Sequence, residues 1–314
     1  MTLANTIAFV GDIHLQFNNP ASRTDNYFMT ILGKIEQIMR KNKYIVSLGD
    51  IFSNPVLDTQ AIIILIQLLQ KYKDRGGEFY EIAGNHTIYS WQLKTINKTT
   101  LGLLHKLGLI KILDRSGNVE GAIPKLEIDS YTIIPGLLNE PKNILVPEGD
   151  NNILVAHAYY EFERDKKHSL EFKDLEESNY KFIFLGHDHE PYKSKIVGKS
   201  ILYRPGSLAR EAAHSYNFTR GINYYQLDLD TDEVKLVKVE AAPAEEVFSV
   251  EAVEKHNDVT PKYVYDMEEL MKSFKSKKTM NISIKKMLED NPAIPDRIVE
   301  FIKDCYEANN IQFV

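Results

Sequence analysis

Five short polar clusters hold the residues best suited to chemistry. They are Gly11-Asp12-Ile13-His14, Gly49-Asp50, Gly84-Asn85-His86, Ala156-His157 and Gly186-His187-Asp188-His189. Five of the nine histidines fall in them. Asp12, His14, Asp50, Asn85, His157, His187 and His189 make seven oxygen or nitrogen donors with no sulfur among them. Such a set suits two divalent first-row metal ions with one carboxylate shared as a bridge. Asp-x-His fits this chemistry because residues two apart on an extended segment face the same side. An Asn ligand adds coordination without charge, so the site keeps a positive field for an anion. Two ions held this way activate a bridging water or hydroxide and neutralise charge developing on a phosphoryl group during in-line displacement.

Each cluster closes a short apolar run rich in β-branched and aromatic residues. These runs, at 6–10, 44–48, 78–83, 152–156 and 180–185, are expected strands. Between the first two, residues 28–40 place Ile31, Ile35, Ile38 and Met39 at helical spacing. Residues 59–72 are dense in Ile and Leu, which predicts a helix buried on much of its circumference. Strand–helix alternation with nearly continuous apolar strands implies an α/β sheet covered on both faces. The polar clusters then lie at carboxyl ends of strands, where open α/β sheets place their ligands. A glycine precedes the polar residue in four of the five, allowing a sharp turn over the sheet edge. Singly, each cluster has a bland reading: Gly-Asp as a turn, a lone His as a hydrogen-bonded core residue. It is their recurrence at five successive strand ends that points to one site. His105, His168, His214 and His256 lack matching neighbours and are read as structural, and Tyr89 and Trp91 as core packing.

Further on, 192–197, 200–204, 221–229 and 233–239 read as strands joined by tight turns and are expected to form the second sheet of a sandwich. Residues 241–246 read as a linker, and 266–274, 283–289 and 295–308 as helices. The expected organisation is a catalytic domain over 1–240 and a C-terminal capping and helical extension over 241–314.

Composition narrows the class. The chain has 314 residues, 43% of them hydrophobic, enough to bury a sizeable core. One cysteine, Cys305, excludes an internal disulfide and any cysteine-built metal site. The N-terminus lacks a signal-peptide pattern, and the most apolar run, 61–66, is far too short to span a bilayer. A cytoplasmic protein with no membrane partner is expected. A net charge of −6, from 38 Lys and Arg against 44 Asp and Glu, weighs against tight unaided binding along a duplex. It does not weigh against cutting one, because two divalent ions would add four positive charges where a phosphodiester must sit.

Taken in order, the motifs D-x-H, GD, GNH, a lone His and GH-x-H resemble those of the calcineurin-like metallophosphoesterases, over residues 6 to 189. The resemblance implies a β-sandwich flanked by helices in four layers, α-β-β-α. By residue, it implies Asp12, His14 and His189 on one metal, Asn85, His157 and His187 on the other, and Asp50 between them. His86 would be catalytic, contacting the scissile phosphate and protonating the leaving oxygen. This chain departs from the family at two positions. Thr87 stands where the family usually has Asp or Glu, which predicts a less firmly oriented His86. Ser53 stands where its nucleases often have Asp.

The turn Tyr203-Arg204-Pro205-Gly206-Ser207-Leu208-Ala209-Arg210 and the following Arg220-Gly221-Ile222-Asn223-Tyr224-Tyr225 are similar to segments of the SbcD-type DNA repair nucleases. That similarity implies DNA as substrate, manganese as the usual metal, and an SMC-like ATPase of the SbcC type as partner. It also makes Ser207 and Arg210 candidate substrate-binding residues and leaves room for a homodimer. Residues 283–308 are a candidate docking element, and Lys272, Lys275, Lys277, Lys278, Lys285 and Lys286 form one dense basic cluster. The same metal core also suits a small-molecule phosphodiesterase or a phosphomonoesterase, and a non-catalytic scaffold is the remaining alternative.

Overall fold

The computed structural model describes residues 3–249 and residue 251, all within the first of two compact units, Met1–Ala252. In chain order the elements are β1 (Ala4–Val10), α1 (Tyr27–Lys41), β2 (Asn42–Ser47), α2 (Thr59–Asp74), β3 (Glu78–Ile82), α3 (Thr100–Lys106) and β4 (Lys111–Leu113). There follow β5 (Leu126–Ile128), β6 (Tyr131–Pro135), β7 (Asn152–His157), β8 (Tyr159–Tyr160), β9 (Ser169–Leu170), α4 (Phe172–Leu175) and β10 (Phe182–Gly186). The last are β11 (Tyr192–Val197), β12 (Ser200–Arg204), α5 (Tyr216–Thr219), β13 (Asn223–Asp228), β14 (Val234–Lys238) and α6 (Ala244–Val247).

Twelve of the described strands form two six-stranded mixed sheets, β14-β13-β1-β2-β3-β4 and β11-β12-β10-β7-β6-β5, and β8 and β9 pair separately. In the first, β1 to β4 run parallel and β13 is antiparallel to β1; in the second, β6, β7, β10 and β12 run parallel between antiparallel edges. The sheets face each other across an apolar layer that includes Phe9, Val46, Ile82, Ile153, Val155 and Phe184, with the rings of Phe9 and Phe184 stacked at 3.7 Å. Helices α1 to α3 cover the outer face of the first sheet through Ile31, Ile35, Leu65, Leu69 and Leu104. The Asn26 side chain accepts from the Met29 N–H and so starts α1, and Asp58 caps α2 in the same way. The outer face of the second sheet is covered more thinly, by Leu170 and Leu175 of β9 and α4 and by Tyr180. These layers are the mixed α/β sandwich the resemblance implies.

Three expectations are corrected. β7 and β10 leave the sheet of β1 to β3 and form the centre of the second, while β13 and β14 return to extend the first. Strands buried on both faces look alike in sequence whichever sheet they join, so local pattern cannot assign them. α2 is apolar nearly all round but buries only Ala61, Leu65, Leu69 and Tyr72, leaving Ile63 at 52% and Ile64 at 38% exposure. Residues 241–246 are no linker: α6 packs on the body, with Ala244, Val247 and Phe248 buried. The helices and lysine cluster expected beyond residue 260 lie outside the described residues. Among the described residues no helix is long and apolar enough to cross a membrane.

Candidate metal centre

The five clusters converge at one end of the sandwich. His14 Nε2 and His189 Nε2 stand 3.0 Å apart, and both close on Asp12. Beside them, His157 Nε2 lies 3.1 Å from Asp50 Oδ2 and 3.1 Å from Asn85 Oδ1, and His187 completes that group. The structure therefore divides the donors into Asp12, His14, His189 and Asp50, Asn85, His157, His187. Backbone groups orient several of them. Asp12 accepts the His187 N–H at 2.9 Å, and Asp50 accepts the His86 N–H at 2.7 Å. His157 Nδ1 lies 2.9 Å from the Leu48 carbonyl, which fixes a hydrogen on Nδ1 and aims Nε2 at the other donors.

The local backbone is strained where the donors sit. His14, Asp50 and His187 have φ of 49°, 52° and 79°, in the left-handed region that side chains other than glycine rarely occupy. Neighbours hold these conformations. The His14 N–H donates to the Asp50 carbonyl, and the His14 carbonyl accepts from the Tyr27 hydroxyl. Close approach, more than turning, explains the glycines. A Cβ on Gly84 would lie 2.2 Å from Asp50 Oδ1, and one on Gly11 2.3 Å from the Gly206 carbonyl oxygen. Gly49 needs both freedoms, with φ of 100° and a would-be Cβ 2.2 Å from His157 Nδ1.

Charge at the centre is poorly balanced without cations. Asp12 and Asp50 are 0% and 1% exposed, and neither pairs with a Lys or Arg among the described residues. Burial pushes the Asp12 carboxyl up to about 7 despite the nearby His157. Burial acts on Asp50 in the same sense, but His157 outweighs it and holds Asp50 below the usual carboxylate range. His157 is drawn down by burial yet lifted to about 9 by Asp50 and Asp12, so without metal this pair keeps a proton between its members. Burial lowers His14 and His187 to about 3 and His189 to about 4, which leaves them as neutral donors. Neutral imidazoles and ionised carboxylates are the forms a divalent ion binds, displacing any proton held there. The 3.0 Å between the two Nε2 atoms also matches two ligands about 2.1 Å from one ion at a right angle. The donor set fits the two ions the sequence implies.

His86 is exposed and lines a cleft of about 360 Å³ with Asp50, Tyr159, Phe162, His187, Asp188, His189, Glu190 and Tyr216. Its Nδ1 lies 3.3 Å from the Ser53 carbonyl, which accepts when that nitrogen carries hydrogen. Thr87 does not orient it; buried, its hydroxyl closes the turn onto Gly84. Ser207 and Arg210 are not brought to the cleft. The Ser207 hydroxyl donates to the Asp12 carbonyl at 2.8 Å, and Arg210 donates to the carbonyls of Ala242 and Arg220. Both belong to the scaffold beneath the site, because buried backbone carbonyls take up their donors.

Other readings shift as well. Trp91 stacks on His168 at 4.2 Å and meets the His187 ring edge at 5.9 Å, placing it beside the centre as well as against the core. Tyr89 is 43% exposed and so is not core packing. His105 is structural, its ring nitrogens within hydrogen-bonding distance of the backbone at Ile110, Ile112 and Glu120. His168 pairs with Asp165. The sequence reading missed Tyr159, Phe162, Tyr216 and Glu211. Tyr159 alone had a signal, standing two residues after His157 in an extended segment; its ring packs on His187 at 4.1 Å.

No curated protein matches the chain. A dimetal phosphatase of known structure from Danio rerio is similar over 77% of this chain and 98% of its own, at 11% identity and a TM-score of 0.48. The profile of the calcineurin-like phosphoesterases matches residues 6–191, a stretch that begins in β1 and ends just past His189 and thus takes in every donor placed above. With that match over more than half its length, this chain belongs to the calcineurin-like phosphoesterase family, whose members are metal-dependent hydrolases.

Proposed function

We propose that the chain is a DNA phosphodiesterase, an SbcD-like nuclease subunit that works with an SMC-like ATPase of the SbcC type and takes manganese. Asp12, His14 and His189 would hold one ion and Asn85, His157 and His187 the other, with Asp50 shared. When bound, such ions supply a nucleophile from water and neutralise charge on the phosphoryl oxygens. The chain's own residues do the rest. The observation that carries the reading is His86, exposed in the cleft beside both donor groups, with its backbone on Asp50 and its ring against His14 at 5.0 Å. Hydrolysis of a phosphodiester breaks one P–O bond and expels an alkoxide that needs a proton, and an imidazole set there can give one. Phe162, stacked on Tyr159 at 4.4 Å on one wall and 36% exposed, offers a ring face to a nucleobase.

One observation favours the second reading, a smaller phosphoester. The lining residues include Asp188 and Glu190 and no Lys or Arg, a poor welcome for a long polyanion. One assay separates them. Chelator-treated protein is reloaded with Mn²⁺ and given blunt duplex, single-stranded DNA, bis-p-nitrophenyl phosphate and p-nitrophenyl phosphate, with and without the ATPase. The proposal expects cleavage of DNA and of the diester. Monoester hydrolysis with intact DNA under every condition would overturn it.

A further inference from the structure

His14 presents a problem that the donor set leaves unsolved. With Nε2 turned toward His189, its Nδ1 must carry the hydrogen of a neutral imidazole, and that atom is buried without a hydrogen bond. Beside it, at 3.4 Å, is the Glu211 carboxylate oxygen Oε2. The other oxygen, Oε1, accepts the Ser53 hydroxyl at 2.7 Å.

Glu211 does not reach this place by chance of loop conformation. Its segment is pinned carbonyl by carbonyl. The Ser207 oxygen accepts from Arg220 at 2.6 Å, that of Leu208 from Lys34 at 2.9 Å, that of Ala209 from Arg220 again, and that of Arg210 from Arg23 at 2.6 Å. The Glu211 carbonyl takes the Ser22 hydroxyl at 3.0 Å and that of Ala212 the Asn217 amide at 2.8 Å. Arg23, Lys34 and Arg220 are at most 8% exposed. The amides of the same segment face the other way: Ser207 N–H donates to the His189 carbonyl and Leu208 N–H to the Asp12 carbonyl. Three buried basic side chains thus fix one short strip of backbone between two metal-binding loops, and the strip leads into Glu211.

We propose that Glu211 is a positioning residue for His14, a carboxylate that receives the Nδ1 hydrogen, fixes the ring and strengthens Nε2 as a donor. Ser53, whose hydroxyl donates to the other oxygen, sets that carboxylate. The arrangement is the carboxylate–histidine–metal relay, whose outer partner commonly changes metal affinity ten- to a hundred-fold. The proposal rests on the dimetal reading above, and its test separates the two.

Mn²⁺ binding to the metal-free protein is measured by calorimetry for wild type, Glu211→Ala, Glu211→Gln and Ser53→Ala, with circular dichroism and melting of the metal-free forms alongside. We expect Glu211→Ala to weaken one of two ions about ten- to a hundred-fold and to leave the other unchanged. Glu211→Gln, whose amide oxygen still accepts from Nδ1, should recover most of that loss, a rescue that a merely structural role would not give. If Glu211→Ala fails to fold, Ser53→Ala carries the test and should weaken the same ion by less. Wild-type affinity for both ions in the folded variants overturns the proposal and leaves the dimetal reading standing. A wild-type protein that binds no Mn²⁺ overturns both.

Discussion

The two halves of the metal centre are built by different means. In the half containing His157, the ring is held by the Leu48 carbonyl, which follows directly on β2, so its geometry comes from the packing of one sheet against the other. In the half containing His14, the outer nitrogen faces a side chain, Glu211, delivered by a turn nearly two hundred residues away and pinned by buried basic side chains. The first arrangement follows once the sandwich forms. The second needs a loop that carries its own supports, and it is the half in which single side-chain changes should be felt most.

That contrast can be broken at the residue the halves would share. Asp50→Ala should abolish binding of both ions and lower phosphoester hydrolysis roughly a thousand-fold or more, as the loss of several kcal/mol of charge stabilisation implies. Steady-state rates with metal analysis check this, and loss of only one ion would show that Asp50 serves one half alone. His86 lies against both halves and is not among their donors. His86→Ala should leave metal content intact and slow cleavage of an alkyl phosphodiester on the order of a hundred-fold, with a much smaller effect on p-nitrophenyl esters, whose leaving group needs no proton.

Smaller changes address the halves separately. Gly11→Ala forces a Cβ against Gly206 under Asp12, and Gly49→Ala forces one against His157. Each should cost about 1–3 kcal/mol in denaturant unfolding, the usual cost of overpacking. Gly11→Ala should weaken the ion at His14, and Gly49→Ala the ion at His157. A pH-dependent effect concerns Glu81, fully buried with its Oε1 on the Ile51 N–H. Burial, helped by the Asp50 charge, pushes its carboxyl up to about 8 from an ordinary 4.5. Between these values the unfolded chain gives up a proton that the folded protein keeps, so Glu81 costs stability increasingly as pH rises through that window, at most about 1.4 kcal/mol per unit. Glu81→Gln should remove that slope. Melting of the metal-free proteins from pH 4 to 8 checks it, and parallel curves would contradict the assignment.

Much of this centre was legible in the sequence because its donors follow strands directly. Once β1, β2, β3, β7 and β10 were recognised from their apolar runs, the polar residues at their ends had to lie on one rim. Which sheet each strand joins was not legible, since β2 and β7 are equally apolar and the choice depends on long-range pairing. Ser207 and Arg210 were misplaced for a related reason. A hydroxyl and a guanidinium in a turn look available, and only the folded structure shows the carbonyls of Asp12, Ala242 and Arg220 taking them up. Glu211 carried no local pattern at all, because what defines it is the imidazole nitrogen it meets.

The central claim is that these donors hold two divalent ions. It is tested most directly by the metal content of chelator-treated protein equilibrated with Mn²⁺ and freed of excess, measured with its phosphodiesterase rate. The account predicts two ions per chain and a rate that appears only as the second site fills. One ion per chain at full activity, or activity that survives complete removal of metal, would contradict it.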